Sequence, residues 1–170
     1  HLSIDNIKFY NKKMNISALL IARNEQDIVK NCLESLTFAD EIIVILDRSV
    51  DDTKLICKKY TKKIFSGSWN CEGERRNFGI KKCSFDWVFE IDADEIVSKS
   101  LQNEILKKKK LTNFDFFFIK LINYVGDKPL KYGWMGCMAP DGKFCMFKKE
   151  SKKWLKGLVH PNYELIGNKG

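Results

Sequence analysis

The chain has 170 residues, 44% of them hydrophobic and 31% charged, and its 30 lysines and arginines against 22 aspartates and glutamates give a formal net charge of +8. This is the composition of one ordinary globular domain with a real core, and no apolar run approaches the roughly 20 residues of a membrane-spanning helix. The N-terminus lacks the charged, apolar and small-residue order of a signal peptide, so the expected compartment is the cytoplasm.

In chain order, residues 1–13 read as a polar lead-in. Ile16 to Ile21 is a compact apolar strand ending in Ala22-Arg23-Asn24-Glu25, after which Ile28, Cys32, Leu33 and Leu36 recur at helical spacing. Glu41 to Leu46 is a second buried strand, Asp47 to Asp52 a polar loop, and Leu55, Ile56 and Tyr60 mark another helix. A short strand near Lys63 to Phe65 leads through Gly67-Ser68-Trp69 into a polar helix from about Glu72 to Lys82, and Phe85 to Ile91 is a fourth strand. Four strands alternating with helices predict a parallel sheet wound right-handedly, with ligands beyond the carboxyl ends of its strands.

The fourth strand runs straight into Asp92-Ala93-Asp94-Glu95. Strand alternation would point both aspartates the same way, and two like charges on one face are best accommodated by a cation, which suggests metal-assisted chemistry on a phosphate. The plainer alternative is that these acids turn the chain ahead of a helix begun by Ser98 or Ser100 and carrying Leu101, Ile105 and Leu106. Glu90 shares the Asp92 side, so it must either reach the site or pair with a cation such as Arg76. Beyond Leu111 the alternation stops: Phe114 to Ile122 reads as a strand, Tyr124 to Trp134 as a loop or hairpin with Gly126 and Gly133, and Phe144 to Phe147 and Trp154 to Val159 as short strands.

Six cysteines, at 32, 57, 71, 83, 137 and 145, form no C-x-x-C pair, and His1 and His160 are the only histidines. Free, mostly buried thiols are expected rather than zinc or disulfides. Clustered lysines attract phosphates, but Lys107 to Lys110 end a predicted helix, where cations favour the dipole, and the others are spread. Solvated surface charge is the simplest reading, peripheral contact with an anionic membrane at the inner face of the cell is a second, and nucleic acid is not expected as a partner.

The succession A-R-N-E, D-R-S-V-D-D-T, W-N-C-E-G-E-R-R-N-F-G and D-W-V-F-E-I-D-A-D-E resembles family 2 glycosyltransferases, closest to their bacterial lipopolysaccharide-core branch. The resemblance implies an α/β GT-A fold, a Rossmann-like mostly parallel sheet flanked by helices with a smaller mixed β acceptor-side region. It would form a single domain over 14–170, with a nucleotide-binding part at 14–97 and an acceptor-side part at 98–170. It implies nucleotide-sugar contacts from Arg23, Asn24, Glu25, Asp47, Arg76 and Asp92, with Asp47 reading the base. Arg75 competes with Arg76 for its role, and one of the two is expected in solvent. Plainer alternatives are that Asn24 caps a helix with Asp27 at its third position and that Asp47 to Thr53 are turn residues. Asp94 is the better candidate for direct contact with Mg2+ or Mn2+, with Asp92 and His160 as further candidate ligands.

Trp134, Pro140-Asp141, Lys143 to Phe147 and Gly157 to His160 resemble the family's acceptor-side segment, with two departures: Cys145 stands near a common arginine position, and Pro161 replaces the glutamate that usually follows the histidine. The implied reaction is inverting transfer from a nucleotide-diphosphate sugar, a UDP-sugar first, to a saccharide or lipid-linked saccharide. It needs one general base, for which Asp141 is the first candidate and Glu164 the second. Members of this branch continue well past the histidine, so part of the acceptor cleft is expected to lie outside these 170 residues. Two rivals stay open: an aspartate-nucleophile phosphatase, whose first aspartate belongs after the first strand rather than the fourth, and a non-catalytic basic module that binds nucleotide or nucleic acid.

Overall fold

The computed structural model of the chain describes residues 14–108, 113–125, 128–129, 141–157 and 161–170. The lead-in at 1–13, Gly126, Gly133, Trp134, Cys137, Pro140 and the segment Leu158 to His160 lie outside the described residues.

Four strand and helix pairs open the fold: β1 (Ile16–Ala22) and α1 (Val29–Ser35), β2 (Glu41–Asp47) and α2 (Thr53–Cys57), β3 (Ile64–Gly67) and α3 (Glu72–Lys82), β4 (Trp87–Asp92) and α4 (Lys99–Lys108). Then come β5 (Phe116–Lys120), the short hairpin of β6 (Tyr124–Val125) and β7 (Lys128–Pro129), β8 (Gly142–Lys148), and the hairpin of β9 (Lys152–Trp154) and β10 (Tyr163–Leu165). The main sheet has the order β3-β2-β1-β4-β8-β5. Its first four strands are parallel, while β8 runs antiparallel to both β4 and β5. Of the acceptor-side strands, β5 and β8 extend the main sheet, while β6-β7 and β9-β10 form two small hairpins of their own, and β10 was not foreseen from the sequence.

Every residue of β1 is buried, as a central strand covered on both faces requires. On one face Ala18 and Leu20 pack with Val29, Cys32, Leu33 and Leu36 from the α1 region and with Ile105 of α4. On the other, Leu19 and Ile21 pack with Ile43, Ile45, Val88 and Ile80 of α3. Strand order reverses at β1, with β2 on one side and β4 on the other, and this switch point opens a crevice at the carboxyl ends. Among the described residues no helix is long and apolar enough to cross a membrane.

At the opposite, amino-terminal edge, the buried Glu41 carboxylate accepts hydrogen bonds from the Ser17 hydroxyl, the Lys63 ammonium and the Ser84 backbone N–H. Burial opposes its ionisation, but these donors outweigh it and hold its pKa at about 2 against an ordinary 4.5. A depressed carboxyl stabilises the fold fully above its ordinary value and loses that contribution as pH falls through the folded one. Glu41→Gln is therefore expected to lower stability at neutral pH by about 2 kcal/mol. In urea titrations run at descending pH the gap should close between 4.5 and about 2; a gap independent of pH would contradict this.

Candidate functional site

Two loops at the carboxyl edge are sewn together. Asn24 adopts a left-handed φ of 54°, which asparagine tolerates, and its Oδ1 accepts from Val50 N at 2.9 Å. Glu25 N donates to Thr53 Oγ1 at 2.8 Å, Gln26 N to Asp51 Oδ2 at 3.1 Å, and Asp52 N to Gln26 Oε1 at 3.1 Å. Asn24 thus caps no helix: α1 begins four residues past Glu25, and its N-cap, Ile28, makes no side-chain bond. Asn24 instead locks the loop after β1 to the loop after β2. The guanidinium of Arg23 is exposed, with no partner among the described residues.

Asp47 ends β2 with its carboxylate closed off. Oδ1 accepts from Arg48 Nε at 3.0 Å and Trp69 N at 3.3 Å, and Oδ2 from Arg48 Nη2 at 3.1 Å and Arg75 Nη1 at 2.8 Å. These four bonds fill the acceptor sites of a carboxylate. Burial resists ionisation, but the bonds from Arg48 and Trp69 and the charge of Arg75 keep the group below the usual carboxylate range. Asp47 thus braces Arg48, Arg75 and the β3–α3 loop at the carboxyl edge of β2.

Neither arginine of the pair lies in solvent, contrary to expectation, and Arg76 is the more buried of the two. Its side chain is 11% exposed and turned inward. Nε donates to Glu72 Oε1 at 2.9 Å, Nη1 to Glu90 Oε1 at 2.6 Å and Nη2 to Asp92 Oδ1 at 3.0 Å, while the guanidinium stacks 4.8 Å from the centroid of Trp154. The Glu90 to Arg76 pairing forms. Glu90 also accepts from Lys152 Nζ at 3.2 Å and Trp154 Nε1 at 3.0 Å. Burial works against its charge, but Lys152 and Arg76 together outweigh it and keep the carboxyl below its ordinary pKa.

The strand's alternation stops at Asp92. A turn closed by Glu95 N donating to Asp92 O at 3.1 Å follows at once, with Ala93 buried and Asp94 exposed. The turn, not the pleat, therefore sets where Asp94 stands. Asp92 Oδ2 faces Lys143 Nζ at 3.4 Å, and that ammonium also donates to Glu95 Oε2, which in turn accepts from Asp92 N at 3.1 Å. Burial opposes the Asp92 charge, but Arg76 and Lys143 lower its pKa overall.

Beneath the turn, Val97 N donates to Ser35 Oγ at 3.1 Å, and Gln102 Nε2 donates to the carbonyls of Ser35 and Val97, each at 3.0 Å. Ser98 Oγ accepts from Leu101 N at 3.3 Å, which starts α4 as expected. Asp94 itself makes no hydrogen bond or ion pair among the described residues. Glu25 lies near enough to feel it: burial first, then the charges of Asp94 and Asp51, raise the Glu25 pKa.

Among the described residues no group of three or more His, Cys, Asp or Glu side chains converges to hold a metal. Mg2+ and Mn2+ do not require one, since they settle for one or two carboxylates completed by diphosphate oxygens and water. The open carboxylate of Asp94 fits that need. Asp92 is committed to two cations, and His160 lies outside the described residues.

Asp141 is exposed just before β8, two residues from Lys143, and lines a cleft of about 750 Å³ with Ser98, Leu101, Phe117 and Ile119. Asp92 and Asp94 are not among the walls of that cleft. Glu164 is placed elsewhere. It sits opposite Lys153 on β10 and lines a separate cavity with Asn77, Lys81 and Lys149, so the structure does not bring it to the Asp92 group. Cys32, Cys57, Cys71, Cys83 and Cys145 are free, and all but Cys71 are buried. Lys152, Ser35 and Gln102 carried no signal in the sequence, and Lys143 only its place in a segment resembling the acceptor side; the alternation of Lys152 with Trp154 along β9 put those two on one side.

A sequence model of glycosyl transferase family 2 matches residues 17–160. An uncharacterized glycosyltransferase of Rickettsia conorii is 40% identical over 91 residues, which is 53% of this chain and 32% of that protein. The lipopolysaccharide core biosynthesis glycosyltransferase LpsC of Rhizobium meliloti is 30% identical over 95 residues, covering 53% of this chain and 35% of its own length. The chain thus spans about a third of the curated relatives it matches. Among solved structures, S. aureus TarS residues 1–349 superimpose with a TM-score of 0.58 at 20% identity, covering 80% of this chain and 47% of that one. Glucosyl-3-phosphoglycerate synthase from Mycobacterium tuberculosis, with Mg2+ and UDP, superimposes with a TM-score of 0.53 at 21% identity, covering 69% and 47%. The four parallel strands with their loops at one edge and the matched sequence agree: the fold is GT-A, and the chain belongs to glycosyl transferase family 2.

Proposed function

We propose that the chain carries the nucleotide-binding and catalytic part of an inverting glycosyltransferase. It takes a sugar from a nucleotide-diphosphate donor, UDP first, to a hydroxyl of a saccharide or lipid-linked saccharide in surface-polysaccharide or lipopolysaccharide-core synthesis. The observation that carries this reading is the open carboxylate of Asp94 on a turn at the switch point, beside an Asp92 held rigid by two cations. The sequence kinship with LpsC supports the pathway class, and structures of TarS with UDP-GlcNAc and of the mycobacterial synthase with Mg2+ and UDP support the donor class.

Asp94 would hold Mg2+ or Mn2+, with Asp92 behind it. When bound, such an ion supplies charge stabilisation for the departing diphosphate. The chain's own residues do the remaining work. Arg23 and Glu25, whose side chains have no hydrogen-bond partner among the described residues, flank the nucleotide, while Asn24 fixes their loop against the next. An acceptor hydroxyl oxygen attacks the anomeric carbon from the face opposite the nucleotide, and its proton passes to a carboxylate. The bond from the anomeric carbon to the diphosphate oxygen breaks, and its electron pair leaves on the diphosphate.

Asp141 is the carboxylate proposed for that proton, because it is exposed and enters the sheet beside Lys143 at the carboxyl edge of β4. Asp141→Asn should reduce transfer about 10²- to 10⁴-fold while nucleotide binding persists. Transfer at the native rate would remove Asp141 from the mechanism. Nucleotide binding with neither transfer nor donor hydrolysis by the native chain would instead favour a module that binds without turnover.

A further inference from the structure

We propose that Lys143 is a donor-binding residue of this site, its ammonium bonding a phosphate oxygen of the nucleoside diphosphate. The inference rests on the nucleotide-sugar reading above and goes beyond it, since it assigns a cation to the donor from the acceptor-side strand β8.

Three observations carry it. First, Lys143 neighbours the turn that presents Asp94: Nζ lies 3.4 Å from Asp92 Oδ2 and donates to Glu95 Oε2. An ammonium has three donors, so two are occupied and one is left over. Second, of the two cations that face Asp92, only Lys143 retains access. Its side chain is 27% exposed against 11% for Arg76, which is engaged by Glu72, Glu90 and Asp92 and stacked on Trp154. Third, the local charge is lopsided. Glu25, Asp92, Asp94 and Glu95 gather at this edge, and a diphosphate brought among them meets repulsion that one divalent ion offsets only in part.

Lys143 supplies the missing positive charge at the point where β8, antiparallel to β4, enters the sheet. The flexible stem of lysine lets the ammonium move between the carboxylates and an incoming phosphate without disturbing the backbone, which the planar, multiply bonded Arg76 cannot do.

The test is calorimetric titration of the 170-residue chain with UDP and, as a probe independent of the base, with inorganic pyrophosphate, each in Mg2+. Lys143→Met is expected to weaken both ligands about tenfold, the usual cost of one bond to a charged group. Lys143→Arg should recover most of the affinity and keep the ligand-free unfolding temperature near that of the native chain, while Lys143→Met, which leaves Asp92 and Glu95 without this cation, should unfold at a somewhat lower temperature. Native affinity in Lys143→Met would overturn the proposal and leave the nucleotide reading standing. An equal loss in both variants together with a lowered unfolding temperature would overturn it in favour of a purely structural brace. Failure of the native chain to bind either ligand would overturn both readings.

Discussion

Glu90→Ala is expected to destabilise the fold by about 3–5 kcal/mol, because it strips the counter-charge from two buried cations at once. Glu90 is 2% exposed and accepts from Arg76, Lys152 and Trp154. Lys152 has no route to water that would compensate: its side chain is 3% exposed, caged by Trp154 and Tyr163 at 4.1 and 4.5 Å from their ring centroids, with Phe144 O accepting its other bond at 2.9 Å. Without Glu90 both cations remain in a medium that solvates them poorly: Lys152 loses its carboxylate partner, and Arg76 keeps only Glu72 and Asp92. Urea titration should show a lower midpoint with an unchanged slope. Glu90→Gln combined with Lys152→Met removes one charge of each sign and should cost less than Glu90→Ala by itself. A loss below about 1 kcal/mol for Glu90→Ala would mean that the network adds no more than a surface pair.

Asp94→Asn is expected to act in the opposite way, leaving stability untouched and removing activity. Its carboxylate is exposed and has no partner among the described residues, so the fold loses nothing measurable. If it is the carboxylate that holds the divalent ion, sugar transfer or donor hydrolysis should fall by at least about a hundredfold, the scale of losing one charge-stabilising group in a transition state. The contrast between the two variants is itself informative: Glu90 belongs to the frame that aims the turn, and Asp94 to what the turn presents. A stable Asp94→Asn variant with native turnover would refute its role.

Much of the frame was legible in the sequence because burial leaves a periodic trace. The apolar runs at Ile16 and Glu41 and the helical spacing of Cys32, Leu33 and Leu36 follow from packing on both faces of a parallel sheet, and Glu72 to Lys82 matched α3 to the residue. The Glu90 to Arg76 pair could be anticipated too, since an acid in the middle of a buried strand requires a cation.

What escaped was set by contacts distant in sequence. Asp47 takes its partners Arg48, Trp69 and Arg75 from three different segments, a convergence that no local pattern reveals. Lys152 and Lys143 are single lysines in a lysine-rich chain, and only the antiparallel return of β8 and the β9 hairpin brings them to the acids. The placement of Glu164, opposite Lys153 and away from the Asp92 group, likewise follows from the β9 and β10 pairing.

The most direct test of the account is to measure binding of UDP by the native chain and by Asp94→Asn, each with and without Mn2+. The native chain should bind UDP more tightly with the ion present, and the ion should make no difference to Asp94→Asn. Equal affinity with and without Mn2+ in both proteins, or no binding in either, would contradict the claim that Asp94 serves a diphosphate through a divalent ion.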